Sequence, residues 1–377
     1  MSTVSRMIRE HDVLVCCGNG GVGKTTVSAA LALLGALQGR NTLIMTIDPA
    51  KRLANALGLS GLSNRQAPIP REHLEQAGLH LEARLHAMML DAKSTWDDLV
   101  ARYAPTEAIR DRIYHNLIYR NLSDAMSGSQ EYMALEKLYE VATDYDYDLI
   151  VVDTPPSRNA VDFLRAPLRM KSFVSNSTFF KLFLNPGMRA GKFGWRLVSS
   201  GGATLFKILE RITGAGLLRD LAEFFTHFEE MIAGFGARAS HIDDLIHSTR
   251  CAFILVATPT APSLAEVNDF KQVLDMMKLS FWGHIINRVI PDPGAAGGII
   301  DETTKNAAGD PAAVELLEYL EAIHALQHAR FVEERRLLED FSAHLPQQDH
   351  LVEIPVLPRE VNDLSVLAEV ADRLARQ

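Results

Sequence analysis

The chain has 377 residues, 47% of them hydrophobic and 23% charged, with a formal net charge of −9. That length and apolar content allow a sizeable core, and the acidic balance excludes the broad basic footprint that nucleic-acid binding requires. No run is long and apolar enough to span a bilayer, and residues 1–10 lack the apolar stretch of a signal peptide, so a cytoplasmic protein is expected.

Apolar runs rich in β-branched residues alternate with helical patterns, which predicts strands over 12–17, 42–47, 85–90, 149–153, 251–257, 283–289 and 351–356. Such alternation belongs to a doubly wound α/β fold with a mostly parallel sheet covered on both faces. The first run, Val13-Leu14-Val15-Cys16-Cys17, leads directly into Gly18-Asn19-Gly20-Gly21-Val22-Gly23-Lys24-Thr25-Thr26, which fits G-x-x-x-x-G-K-[ST]. The glycines let consecutive backbone N–H groups point at phosphates, Lys24 reaches the outer phosphates, and the Thr25 hydroxyl suits Mg²⁺. A helix beginning at Lys24 adds its positive dipole end.

Gly18, Gly20 and Gly23 also satisfy G-x-G-x-x-G, and Asp48 closes the next apolar run, as a dinucleotide fingerprint asks. A pyrophosphate turn, however, has no use for an ammonium followed by two hydroxyls. Lys24-Thr25-Thr26 therefore select a nucleoside triphosphate with magnesium.

Pro49 sits where a first helical residue belongs after Asp48, and Ser263-x-x-Glu266 reads as a capping box before Val267, Phe270, Val273 and Leu274. Two stretches interrupt the alternation. Residues 93–147 read as three helices, the last with Leu135, Leu138, Tyr139 and Ala142 on one stripe; residues 160–247 read as mostly helical with a glycine-rich middle. The expected organisation is one domain whose core is 1–92, 148–159 and 248–377, with a helical subdomain inserted at about 93–147 and 160–247. Residues 291–312 are predicted as a long surface loop and 313–343 as a charged helix.

Cys16 and Cys17 occupy adjacent strand positions that face opposite ways, Cys251 begins another strand, and no C-x-x-C occurs. All three read as small core residues, and no structural metal is expected. Asp153 ends the run Asp148-Leu149-Ile150-Val151-Val152, and the following Thr154-Pro155-Pro156-Ser157 must turn sharply. This fits the carboxylate that holds Mg²⁺, usually through water. Asp48 is either the N-terminus of a helix or a group that orients or deprotonates attacking water, and the two roles are compatible.

Together these segments resemble the ArsA family of ATPases, which includes arsenite-pump ATPases and the ATPases that guide tail-anchored proteins to membranes. Gly20-Gly21-Val22-Gly23-Lys24-Thr25-Thr26 resembles the family's deviant phosphate loop, Asp48-Pro49-Ala50 its first switch and Asp153-Thr154-Pro155-Pro156-Ser157 its second. The resemblance implies a SIMIBI-type P-loop fold, ATP and Mg²⁺ as cofactors, Asp48 positioning the hydrolytic water, and Asn287 and Pro358 holding adenine. Asp48-Pro49-Ala50-Lys51-Arg52-Leu53-Ala54, Gln130-Glu131-Tyr132-Met133-Ala134 and Asp153-Thr154-Pro155-Pro156-Ser157-Arg158-Asn159 resemble a single-domain branch, found in actinobacteria and other bacteria, labelled anion-transporting.

Three departures qualify what the resemblance implies. No cysteine lies in either helical insertion, where arsenite pumps carry thiols, and the C-x-x-C that clamps zinc between tail-anchored targeting subunits is missing. Asn19 stands where the family carries a signature lysine that crosses a dimer interface. An amide supplies no positive charge for phosphoryl transfer, so the expected assembly is a homodimer with slow turnover or a heterodimer with a paralogue that keeps the lysine. Arg158 and Lys51 are either substitutes for that charge or solvated surface groups. The apolar content of 173–225 is either a bundle core or a groove for a membrane-protein helix.

Overall fold

The computed structural model describes residues 2–47, 52–104, 106–116, 119, 129–155, 162–169, 172, 237–294, 311–361 and 363–377. Its centre is an eight-stranded sheet of β1 (Val13–Gly18), β2 (Thr42–Thr46), β3 (Ala67–Pro68), β4 (Leu85–Met89), β5 (Leu149–Asp153), β6 (Cys251–Ala257), β7 (Phe281–Val289) and β8 (His350–Pro355). The spatial order is β3-β4-β2-β5-β1-β6-β7-β8. Every pairing is parallel except β3 with β4. The predicted doubly wound sheet therefore forms, and all seven predicted strands are present within a residue or two of their expected ends.

The helices are α1 (Thr3–Glu10), α2 (Lys24–Leu37), α3 (Arg52–Ala56), α4 (Arg71–Gln76), α5 (Ala92–Tyr103), α6 (Glu107–His115), α7 (Ser129–Asp144), α8 (Ala261–Met276), α9 (Pro311–Ala343) and α10 (Leu364–Arg376). Alternation along each strand divides the core in two. Val13, Val15 and Cys17 face a layer that takes Leu99 from α5, Leu135 and Leu138 from α7, Phe270 from α8 and Phe341 from α9. Leu14 and Cys16 face a layer built from α1, α2 and α10, including Met7, Leu31 and Leu367. The apolar stripe expected on α7 is the one that packs, with Tyr139 and Ala142 at its margin. Helices α5 to α7 thus share the sheet's own core.

Helix α1 and strand β3 are not among the predicted elements. Helix α1 buries Val4, Met7 and Ile8, and the Ser2 side chain accepts from Ser5 N at its start. Strand β3 is two residues long and closes the edge antiparallel to β4. One expectation is corrected. Helix α8 starts at Ala261 after Thr260, and Ser263 accepts from Thr258 N at 3.0 Å, so it ties down the preceding turn and forms no capping box with Glu266. The Asp48-Pro49 helix start and most of the second helical insertion lie outside the described residues. Among the described residues no helix is long and apolar enough to cross a membrane.

Candidate nucleotide site

Strand β1 lies between β5 and β6, so the chain leaves its carboxyl end at the point where successive crossovers diverge, which is where open α/β sheets bind ligands. Gly18 ends the strand against Val256. A Cβ at this position would stand 2.2 Å from Val256 O, which leaves room only for glycine. Gly23 holds the left-handed position before α2 at φ +91°, and a Cβ on it would meet Asn287 Nδ2 at 2.2 Å. Between them, a Cβ on Gly20 or Gly21 would find nothing within 4 Å. The loop is thus pinned at both ends and open in its middle.

Lys24 opens α2, as predicted, and its ammonium donates to Gly18 O at 2.9 Å and Asn19 O at 2.7 Å. The loop curls around its own cation. Thr25 donates to Asp153 Oδ2 at 2.8 Å, and Thr46, at the end of β2, donates to the same oxygen at 3.0 Å. Asp153 is 1% exposed, so its charge rests on these donors inside the fold. Thr154 then donates to Cys16 O at 2.8 Å, fixing the turn after β5 onto β1.

A cavity of about 760 Å³ opens over this arrangement. Gly20, Gly21, Gly23, Lys24, Thr25 and Thr26 line it from the loop, and Thr154 from the turn after β5. Asn287 and Arg288 line it from β7, and residues 354–361, with Pro358 among them, from the end of β8 and the loop after it. Val22 is buried in the core, and its carbonyl accepts from Asn287 Nδ2 at 2.9 Å. Asn287 therefore buttresses the loop as well as lining the cavity. Asp48, Lys51 and Arg158 lie outside the described residues; Ile47, just before Asp48, donates its N–H to Asp153 O at 3.0 Å.

The structure brings the adjacent Lys24 and Thr25 together with Asp153, Asn287 and Pro358 from distant parts of the chain. Sequence reasoning missed Thr46, Asn55 and Arg288. A threonine ending the strand beside the Asp153 strand was the available signal for Thr46; Asn55 and Arg288 reach the cavity through α3 and an irregularity in β7 that no motif announces. The cysteines are core residues on opposite faces, and burial pushes the Cys17 thiol up to about 12. Burial raises Cys16 and Cys251 as well, which makes thiolate chemistry unavailable.

The donor set fits a hard divalent cation. One hydroxyl and one carboxylate side by side at the end of two elements match Mg²⁺, which completes its shell with water and phosphate oxygens. Among the described residues no group of three or more His, Cys, Asp or Glu side chains is placed to hold a metal by itself.

A mostly parallel sheet carrying a glycine-rich loop, lysine and threonine at a central strand, with a strand-ending aspartate beside them, defines the fold of the P-loop nucleoside triphosphatases. The family model described as anion-transporting ATPase, ArsA type, matches residues 11–307, and the chain belongs to that family. The match covers the loop, Asp153 and Asn287 but ends before Pro358. The chain is similar to the ATPase GET3 of Malassezia globosa, with 23% identity over 287 residues, 75% of this chain and 74% of that protein. It is also similar to an ATPase ASNA1 homolog of Leishmania infantum, with 28% identity over 195 residues, 45% and 46% of the two chains. The uncharacterized protein SCO2128 of Streptomyces coelicolor shares 32% identity over 165 residues, 42% of this chain and 37% of that one.

Proposed function

We propose that this chain is a Mg²⁺-dependent ATPase that hydrolyses the β–γ anhydride bond of ATP. The observation that carries the reading is the Thr25–Asp153 contact at 2.8 Å beside Lys24 at the mouth of the cavity. On binding, phosphate oxygens would replace the Gly18 and Asn19 carbonyls as partners of Lys24, and the backbone N–H groups of residues 20–26 would receive the remaining charge. Thr25 and Asp153 would hold Mg²⁺, which neutralises charge on the outer phosphates when bound. Asp48 would orient the hydrolytic water. Asn287 and Pro358 would bound the adenine.

The ATPase would act as a dimeric cytoplasmic switch whose helical insertions, at about 93–147 and 160–247, take a membrane-protein or hydrophobic-helix client. A second reading, a catalytically weak regulatory subunit paired with a lysine-bearing paralogue, draws on Asn19. Its carbonyl accepts from Lys24, and its side chain brings no charge to the loop. Phosphate release by the purified chain with Mg²⁺ separates the two. We expect measurable turnover that Lys24→Ala abolishes, and a rise of about tenfold in Asn19→Lys. Turnover in the wild type equal to that of Asn19→Lys would remove the case for a missing charge; no turnover in the wild type, together with tight ATP binding, would favour the regulatory subunit.

A further inference from the structure

We infer that Arg288 is a nucleotide-binding residue of this chain that meets the base and ribose end of the nucleotide; the inference rests on the ATP reading above. Among the described residues, three cationic side chains line the cavity: Lys24, Arg288 and Arg359. Lys24 is engaged by the loop carbonyls, and Arg359 donates to Glu369 at 2.7 Å. Arg288 is exposed to the cavity and has no hydrogen-bond or ion-pair partner among the described residues.

Its backbone is the second observation. Arg288 has φ +66°, a left-handed conformation that non-glycine residues adopt uncommonly. Lys278 is the other described non-glycine residue with positive φ, and it directly follows Met277, the C-cap of α8, where that conformation is usual. Arg288 lies inside a strand and has no such explanation. The register of β7 against β8 shifts between Asn287 and Val289, so one residue is left over in the ladder. Asn287 stays buried under the loop, and the extra residue, Arg288, is displaced into the cavity. Strain at a cavity wall, in a residue whose charge has no partner among the described residues, points to a ligand that uses it.

The position selects which part of the nucleotide. Gly20, Gly21, Lys24 and Thr25 claim the phosphates. Arg288 shares its part of the wall with the loop after β8, including Leu357, Pro358 and Val361, whose mainly apolar character suits a base. A guanidinium plane lies well against an aromatic ring or donates to ribose oxygens.

Isothermal titration of the full chain with Mg²⁺-ATP and with Mg²⁺-ADP tests this in the wild type, Arg288→Ala and Arg288→Gly. Glycine takes the positive φ freely, so a loss shared by both variants reports the guanidinium, and the thermal midpoint reports the fold. We expect both variants to remain folded and to bind ATP and ADP about tenfold more weakly, by the same factor for each nucleotide. Wild-type affinity in Arg288→Ala would overturn the inference. So would a loss in Arg288→Ala that Arg288→Gly restores, or a loss confined to ATP, which would place the guanidinium at the γ-phosphate. A wild type that binds neither nucleotide would instead sink the ATP reading, and the two failures are distinguishable.

Discussion

The two ends of the sheet are both polar, but they spend their polarity differently. At the amino end Arg40 donates to the carbonyls of Ile8, His11 and Asp148 and pairs with Asp12 at 3.2 Å, while Arg250 meets the other oxygen of Asp12. Asn41 N donates to Asp148 Oδ2 at 2.8 Å. These groups bind the starts of β1, β2, β5 and β6 to one another. At the carboxyl end Thr154 and Asn287 also tie chain segments together, but Lys24, Thr25 and Thr46 converge on loop carbonyls and on one carboxylate oxygen. Permanent bonds between chain segments secure one end. At the other end, the bonds of Lys24 and Thr25 are the ones that a phosphate and a cation would take over under the proposed ATP reading.

Asp153→Asn breaks the comparison most directly. It keeps the shape and removes the charge that Thr25 and Thr46 share, so ATP turnover is expected to fall about a thousandfold while the thermal midpoint moves by no more than about 3 °C. A large loss of stability with activity retained would show that this end, too, is merely structural.

The middle of the sheet supplies an intermediate effect. His284 on β7 is fully buried, its ring meets Phe281 and Phe341 at 5.0 and 5.2 Å, and its nitrogens find no hydrogen-bond partner among the described residues. Burial, with a smaller contribution from Lys271, lowers its pKa from 6.5 to about 4. The unfolded chain therefore takes up the proton first. The contribution of His284 to stability is complete above about pH 6.5 and is lost as the pH falls toward 4, a span worth roughly 3 kcal/mol at most. Thermal midpoints from pH 4 to 7 should show this slope, and His284→Leu should flatten it; an unchanged slope in the variant would assign it to carboxylates elsewhere.

Arg40→Ala gives the smallest of the three effects and sharpens the contrast. Removing its bonds leaves carbonyls at the amino end without their donor, so the expected loss is about 2 kcal/mol in urea unfolding. ATP affinity should be unchanged. A tenfold loss of affinity would mean that the two ends are coupled through the strands.

How much of this was legible from residues alone follows the same division. The long strands announced themselves because buried parallel strands must be continuously apolar, as in Ile150-Val151-Val152 and Ile254-Leu255-Val256. The loop was legible because phosphate binding constrains consecutive residues. Strand β3 was not, since Ala67-Pro68 is too short for a period and is set by its antiparallel neighbour. The capping box failed because the helix starts at Ala261, which puts Ser263 inside the first turn, where its hydroxyl accepts from Thr258 N. Thr46 reaches Asp153, and Asn55 and Arg288 reach the cavity, only once strand order and register are fixed, and neither is written in any local pattern.

Gly20 has a consequence that reaches beyond the polypeptide. Its φ lies outside the left-handed range, and a Cβ there would touch nothing within 4 Å, so neither backbone geometry nor packing forbids a side chain. Glycine nevertheless enlarges the freedom of the unfolded chain and weakens folding slightly. Under the proposed ATP reading, the bare backbone at Gly20, beside Lys24 and Thr25, is where the phosphate chain would come close.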